Sequence, residues 1–241
     1  MKIGFDAKRA FYNYSGLGNY SRNVISLLKK YFPENDYHLF TPGKTTFNKN
    51  FPPQDVSLVL PQKTLHKIFP SWWRSVALSS TISEQKIDIF HGLSNELPGD
   101  IKKTNVRSVV TIHDLIFLHY PNLYKRIDRN IYHKKFSAAV EKADKVIAIS
   151  KKTRDDLVNF FNAREEKIEV IYQSCDPAFS ARPDKEKKAE LIREYELPAE
   201  FILYVGTIEE RKNLLKLVQA LDMAKTDIPL VVIGKQTSYA R

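Results

Sequence analysis

The chain has 241 residues, 43% hydrophobic and 27% charged, with a formal net charge of +10 at pH 7 and one cysteine. That length suits one large or two ordinary domains with a buried core. No apolar run approaches the roughly 18–20 residues of a membrane span, one thiol among six histidines offers neither zinc spacing nor an intrachain disulfide, and the scattered Lys and Arg residues form no nucleic-acid signature.

Residues 2–7 read as a first strand, entered at once without a signal-peptide pattern, which sets the expectation of a cytoplasmic protein. The basic charge would suit peripheral association with an anionic membrane face. Residues 16–32 read as a helix whose Tyr20, Val24, Leu27, Leu28 and Tyr31 make one apolar stripe. Gly16, Leu17 and Gly18 open that helix, and glycines there let a ligand approach backbone N–H groups with no Cβ in the way. An ordinary tight turn is the other reading. The dinucleotide fingerprint is incomplete, because Ser21 stands where its third glycine would be.

Short apolar runs at 37–41 and 56–60 predict strands, with a polar loop at 45–53. A helix is predicted over 70–85, and its Trp72 and Trp73 are expected in the core, with an exposed apolar patch as the other reading. Residues 88–92 and 107–114 are the next strands, finishing at His91 and at His113 with Asp114. In open α/β sheets the ligand crevice lies at the carboxyl ends of such strands, although either histidine alone could be structural. A long helix at 121–143, a strand at 145–150, a helix through Leu157, Phe160 and Phe161, and a strand at 168–172 follow. Ser150 fits the N-cap of the helix after it.

Residues 173–183 are turn-rich and mark the domain boundary. Beyond them come a charged helix at 184–195, a strand at 201–205, Gly206, a helix bearing Leu214, Leu217, Val218 and Leu221, and a strand at 229–234. Arg211 and Lys212 sit near that helix's N-terminus, where cations are misplaced by roughly 0.3–1 kcal/mol each unless an anion such as phosphate joins them. In the alternative reading Glu209 and Glu210 supply the negative charge and the basic pair is solvated. The fold class is α/β: a Rossmann-like doubly wound parallel sheet over 1–176, plus the beginning of a second Rossmann-like domain over 177–241. With so few strands, the second domain is expected to be cut short or to need a partner.

Four ordered stretches then carry a resemblance: 15–20 (Ser-Gly-Leu-Gly-Asn-Tyr), 110–115 (Val-Thr-Ile-His-Asp-Leu), 146–150 (Val-Ile-Ala-Ile-Ser), and 204–207 (Tyr-Val-Gly-Thr) with Arg211, Lys212 and Asn213. Together they resemble the retaining GT-B-fold glycosyltransferases of glycosyltransferase family 4, many of them bacterial mannosyl- or glucosyltransferases of polysaccharide assembly. The resemblance implies an N-terminal acceptor-side domain and a C-terminal domain for the nucleotide-sugar. It implies transfer of a hexose such as mannose from a GDP- or UDP-hexose to a glycan or lipid-linked acceptor, with retention. Gly16, Leu17, Gly18, Gly206, Thr207, Arg211 and Lys212 would meet the donor diphosphate, His113 and Asp114 would act at the donor sugar, and His91, Tyr20 and Ser150 would lie on the acceptor side. The resemblance implies no cofactor and no metal, and the sequence, which has no Asp-x-Asp triplet, is consistent with a metal-independent route. The family's pair of glutamates separated by seven residues would come after residue 241, so this stretch is expected to bind donor poorly and turn over little. A noncatalytic glycan- or partner-binding module is the competing expectation, and a nicotinamide-dependent oxidoreductase is a third, disfavoured by the glycine pattern. The sequence sets no oligomeric state.

Overall fold

The computed structural model describes residues 1–43 and 51–240, so most of the polar loop read at 45–53 lies outside the described residues. The chain divides into two compact units, Met1–Cys175 and Asp176–Arg241.

In the first unit the described strands are β1 (Lys2–Asp6), β2 (Asp36–Phe40), β3 (Ser57–Val59), β4 (Ile89–Gly92), β5 (Arg107–Ile112), β6 (Lys145–Ala148) and β7 (Ile168–Val170). They form one sheet in the order β3-β2-β1-β4-β5-β6-β7, and every pairing is parallel. Parallel strands need crossovers, which here are largely helical: α1 (Lys8–Tyr12) and α2 (Gly16–Tyr31) between β1 and β2; α3 (Thr64–Ile68), α4 (Pro70–Trp72) and α5 (Leu78–Glu84) between β3 and β4; α6 (Ile116–His119) and α7 (Arg126–Lys142) between β5 and β6; α8 (Lys151–Phe161) between β6 and β7. Apolar side chains fill the core on both faces. Phe5, Phe11, Ile25, Tyr37 and Leu39 cluster with the α1–α2 side. Phe40, Trp73, Leu78, Ile82 and Phe90 form a second cluster, and Val110, Ile112, Phe136, Val146 and Leu157 a third under α7 and α8. Each fully buried side chain of this size contributes about 1.5–3 kcal/mol over its exposed state.

Two expectations change. The helix read over 70–85 is broken: α4 runs into one π-helical turn, Trp73–Ala77, before α5. Trp73, which opens the π-turn, is fully buried, while Trp72, the last residue of α4, is 43% exposed. The helix read over 121–143 begins with a separate 3-10 turn, Pro121–Leu123, and α7 starts only at Arg126.

The second unit holds α9 (Lys185–Glu194), β8 (Ile202–Val205), α10 (Leu214–Met223) and β9 (Leu230–Ile233). Asp184 caps α9 by accepting from the backbone N–H of Glu186. β8 and β9 pair in parallel, again a strand–helix–strand unit.

Candidate active site at the carboxyl edge of the sheet

The sheet order reverses direction about β1, which has β2 on one side and β4 on the other. Such a switch point is where doubly wound sheets hold ligands. Asp6 ends β1, His91 is the penultimate residue of β4, and His113 follows β5.

Thr111 joins two of the expected residues. Its buried Oγ1 lies 2.8 Å from Nε2 of His91 and 3.0 Å from the hydroxyl of Tyr20, so one side chain of β5 links β4 to α2. Burial, with His113 nearby, pushes the His91 imidazole down to about 4. It is therefore neutral at pH 7. Burial also pushes the Tyr20 phenol up, partly opposed by its bond with Thr111.

His113 is held on every side. A carbonyl only accepts, so the 2.9 Å contact with Leu93 puts the proton on Nε2, which leaves Nδ1 to accept from the Gln173 amide at 3.0 Å. Burial pushes its pKa down, outweighing the Leu93 bond and the Asp114 charge. The backbone N–H of His113 donates to Asn95 and its carbonyl accepts from Thr153, while the ring meets Tyr20 edge-on at 4.7 Å. The result is a neutral, oriented imidazole whose ring nitrogens both have protein partners. Asp114 is exposed and accepts from the Ile116 N–H.

A second polar cluster stands at the end of β1. The π-turn aims Arg74 at Asp6, with contacts of 3.2 and 2.5 Å, and Arg74 also lies 3.7 Å from Glu96. Burial pushes the Asp6 carboxyl up, but the Arg74 charge and hydrogen bonds overcome that and hold it below its ordinary value. Neither residue was singled out in the sequence. A carboxylate ending a buried strand was the available signal; Arg74 is delivered by a π-turn that periodicity does not reveal.

The glycine pair divides. Gly16 has nothing within 4 Å of where a Cβ would stand, and it opens α2 at an uncapped N-terminus with no acidic residue in the first turn. At Gly18 a Cβ would fall 1.8 Å from the Asn13 carbonyl oxygen. Its missing side chain thus makes room for the chain's own backbone, a structural reason for glycine at this position beside the expected one. Arg22 fastens the same loop by donating to the carbonyls of Ala10 and Asn13. Ser150 accepts from the Thr153 N–H at 3.0 Å and caps α8.

In the second unit Gly206 and Thr207 follow β8, and the Gly206 N–H donates to Ile233. Arg211 and Lys212 lie in a 3-10 turn, Glu210–Lys212, ahead of α10, and Asn213 with φ 52° separates that turn from the helix. Arg211 pairs with Glu209 at 2.6 Å, while Lys212 is exposed. Among the described residues no group of three or more His, Cys, Asp or Glu side chains could hold a metal ion, and no helix is long and apolar enough to cross a membrane.

The sheet and its polar edge place the protein among Rossmann-like units whose ligand crevice lies at the carboxyl ends of the strands. Residues 14–179 match Glycosyltransferase Family 4, and the chain belongs to that family. It is 24% identical over 158 residues to O-antigen chain mannosyltransferase B of Escherichia coli, covering 64% of this chain and 40% of that protein. It is 31% identical over 115 residues to the N-acetylgalactosamine-N,N'-diacetylbacillosaminyl-diphospho-undecaprenol 4-alpha-N-acetylgalactosaminyltransferase of Campylobacter jejuni, covering 47% of this chain and 30% of that protein. The chain thus spans less than half the length of these two relatives. Its fold is similar to that of Anabaena Alr3699/HepE in complex with UDP and glucose, with a TM-score of 0.63 at 15% identity over 98% of this chain and 61% of that one. It is likewise similar to a glycosyltransferase from Rickettsia africae, with a TM-score of 0.60 at 18% identity over 97% and 60%.

Proposed function

We propose that this protein is a hexosyltransferase, with its acceptor and part of the reaction held at the carboxyl edge of the first unit and its nucleotide-sugar held chiefly by the second. The observation that carries the reading is the Tyr20–Thr111–His91 chain beside His113, all within the stretch that matches the family. These groups are neutral and hydrogen-bonding, which suits a hydroxyl-rich sugar. Mannose is the favoured hexose because relatives from Escherichia coli are mannosyltransferases, and a lipid-linked acceptor is favoured by the diphospho-undecaprenol substrate named for the Campylobacter relative. The donor is read as a UDP- or GDP-hexose, and the neighbour structures in complex with UDP, one of them also with glucose, support a nucleotide-sugar.

In this reading Lys212 meets the donor diphosphate and stabilises charge as it develops on the leaving group, and the Gly16 and Leu17 N–H groups are the anion-binding donors of the first unit. Gly206 and Thr207 let the phosphates approach the end of β8. Arg211 joins Lys212 once the anion competes with Glu209. A donor hydroxyl takes the place of Gln173 at Nδ1 of His113, and Asp114 stands beside it at the strand end. His91 and Tyr20 face the acceptor, and Ser150 contributes through the cap it forms. The reaction retains anomeric configuration and needs no metal.

The test is incubation of the full-length protein with GDP-mannose, UDP-glucose and UDP-N-acetylgalactosamine, with lipid-linked and free oligosaccharide acceptors, with and without a chelator. Transfer giving an α-linked product by NMR, unaffected by chelation, is expected. An inverted product, or nucleotide-sugar left intact with every acceptor, overturns the proposal.

A further inference from the structure

The segment between β3 and α5 turns its apolar side chains outward. Leu65, Ile68, Phe69, Trp72 and Val76 recur at the i, i+3, i+4, i+7, i+11 spacing of a helix's core-facing stripe, yet they are 43–62% exposed. From Lys63 to Ala77 the buried side chains are instead His66 and Trp73, and the His66 ring packs against Trp72 at 5.5 Å. With Trp73 in the core, the usual burial of the stripe is already taken by other residues. Five exposed apolar side chains within twelve residues, carried on two short helices and a π-turn, mark this segment as an interaction surface.

Charge says what covers it. From Val56 to Ser83 the sequence holds no Asp or Glu, while Lys63 and Lys67 are exposed among the apolar side chains. An aromatic pair, Phe69 and Trp72, flanked by cations with no acidic neighbour in sequence is complementary to the headgroup region of an anionic bilayer, where an indole ring and lysine ammonium groups both find partners.

We propose that this face docks the protein peripherally on an anionic lipid surface, with Leu65, Ile68, Phe69 and Trp72 entering the interface and Lys63 and Lys67 against lipid phosphates. Arg74 of the same segment reaches Asp6 at the carboxyl end of β1, so docking here brings the bilayer to the sheet edge that carries His91 and His113. The docking rests on the face itself; its use in meeting a lipid-linked acceptor rests on the function proposed above.

Flotation of the protein with phosphatidylcholine vesicles, with and without phosphatidylglycerol, tests it. Binding is expected only with phosphatidylglycerol, with a blue shift from Trp72 and its quenching by brominated lipid, Trp73 being already in the core. Ile68→Ser/Phe69→Ser should lower partitioning more than tenfold with an unchanged circular dichroism spectrum, and Lys63→Gln/Lys67→Gln should lower it roughly thirtyfold. No flotation in low salt, equal flotation of the Ile68/Phe69 variant, or loss by that variant of a dimer that binds no vesicle would each refute the lipid surface, the last in favour of a second copy. Transfer by the full-length variant to a soluble acceptor, kept while transfer to a vesicle-borne one falls, separates docking from chemistry.

Discussion

Gln173 donates a hydrogen bond across 3.0 Å to Nδ1 of His113, whose Nε2 proton is already committed to the Leu93 carbonyl. One exposed amide thus completes the fixing of the tautomer of a buried ring.

Nitrogen-15 spectra of labelled histidine should find His113 neutral at pH 7 and protonated on Nε2. Gln173→Ala should keep the fold and move the Nδ1 resonance toward that of an unbonded nitrogen. A wild-type ring protonated on Nδ1 contradicts this arrangement.

His91 makes folding sensitive to acid. Its folded pKa near 4 lies below the ordinary 6.5, so between those values the unfolded chain holds the proton more often. Stability is therefore full above about pH 6.5 and falls as pH drops toward 4, by about 3 kcal/mol from His91 alone. The buried His38 and His113 are pushed down as well and add to the effect in the same direction. Urea unfolding at pH 7.5 and pH 5 measures it; His91→Gln should flatten the difference, and an unchanged slope removes His91 as its source.

Gly18→Ala should destabilise by about 1–3 kcal/mol, because its Cβ would collide with the Asn13 carbonyl. Gly16→Ala should change stability by less than about 0.5 kcal/mol, having open space around it. Thermal melts compare them. If Gly16 faces the donor phosphates, its alanine variant also weakens nucleotide-sugar binding by calorimetry while melting normally.

Asp6→Asn should cost about 3–5 kcal/mol by stranding a buried Arg74 charge. Arg74→Met added to it should restore part of the loss. Denaturant titrations of the two variants decide this, and equal stability of Asp6→Asn and wild type would mean the pair is solvated.

Lys212→Ala in the full-length protein should weaken donor binding more than acceptor binding, and increasingly so at low salt. Glu209→Gln should strengthen it by releasing Arg211 from its 2.6 Å pair. Isothermal titration with a nucleotide-sugar gives both; unchanged affinity in both variants takes this turn out of the site.

The sheet was legible because buried parallel strands such as β5 are near-continuous apolar runs, and the alternation with helices leaves few topologies. His91 and His113 were legible as strand-end residues. Their partners were not: Thr111 looks like any β-branched strand residue, Gln173 lies sixty positions from His113 in a turn-rich stretch, and the Leu93 carbonyl has no side-chain signature. The opposite roles of Gly16 and Gly18 depend on where Asn13 folds back, which spacing does not encode. Which of the two adjacent tryptophans is buried was not legible either: Trp73 lies in the core and Trp72 outside it.

The most direct test of the central claim is single-turnover transfer from the nucleotide-sugar by the full-length protein, wild type beside His113→Ala, with both shown to be folded. The arrangement at the carboxyl edge predicts a loss of roughly a hundredfold or more in a folded variant. Equal rates would contradict the assignment of this edge to sugar transfer.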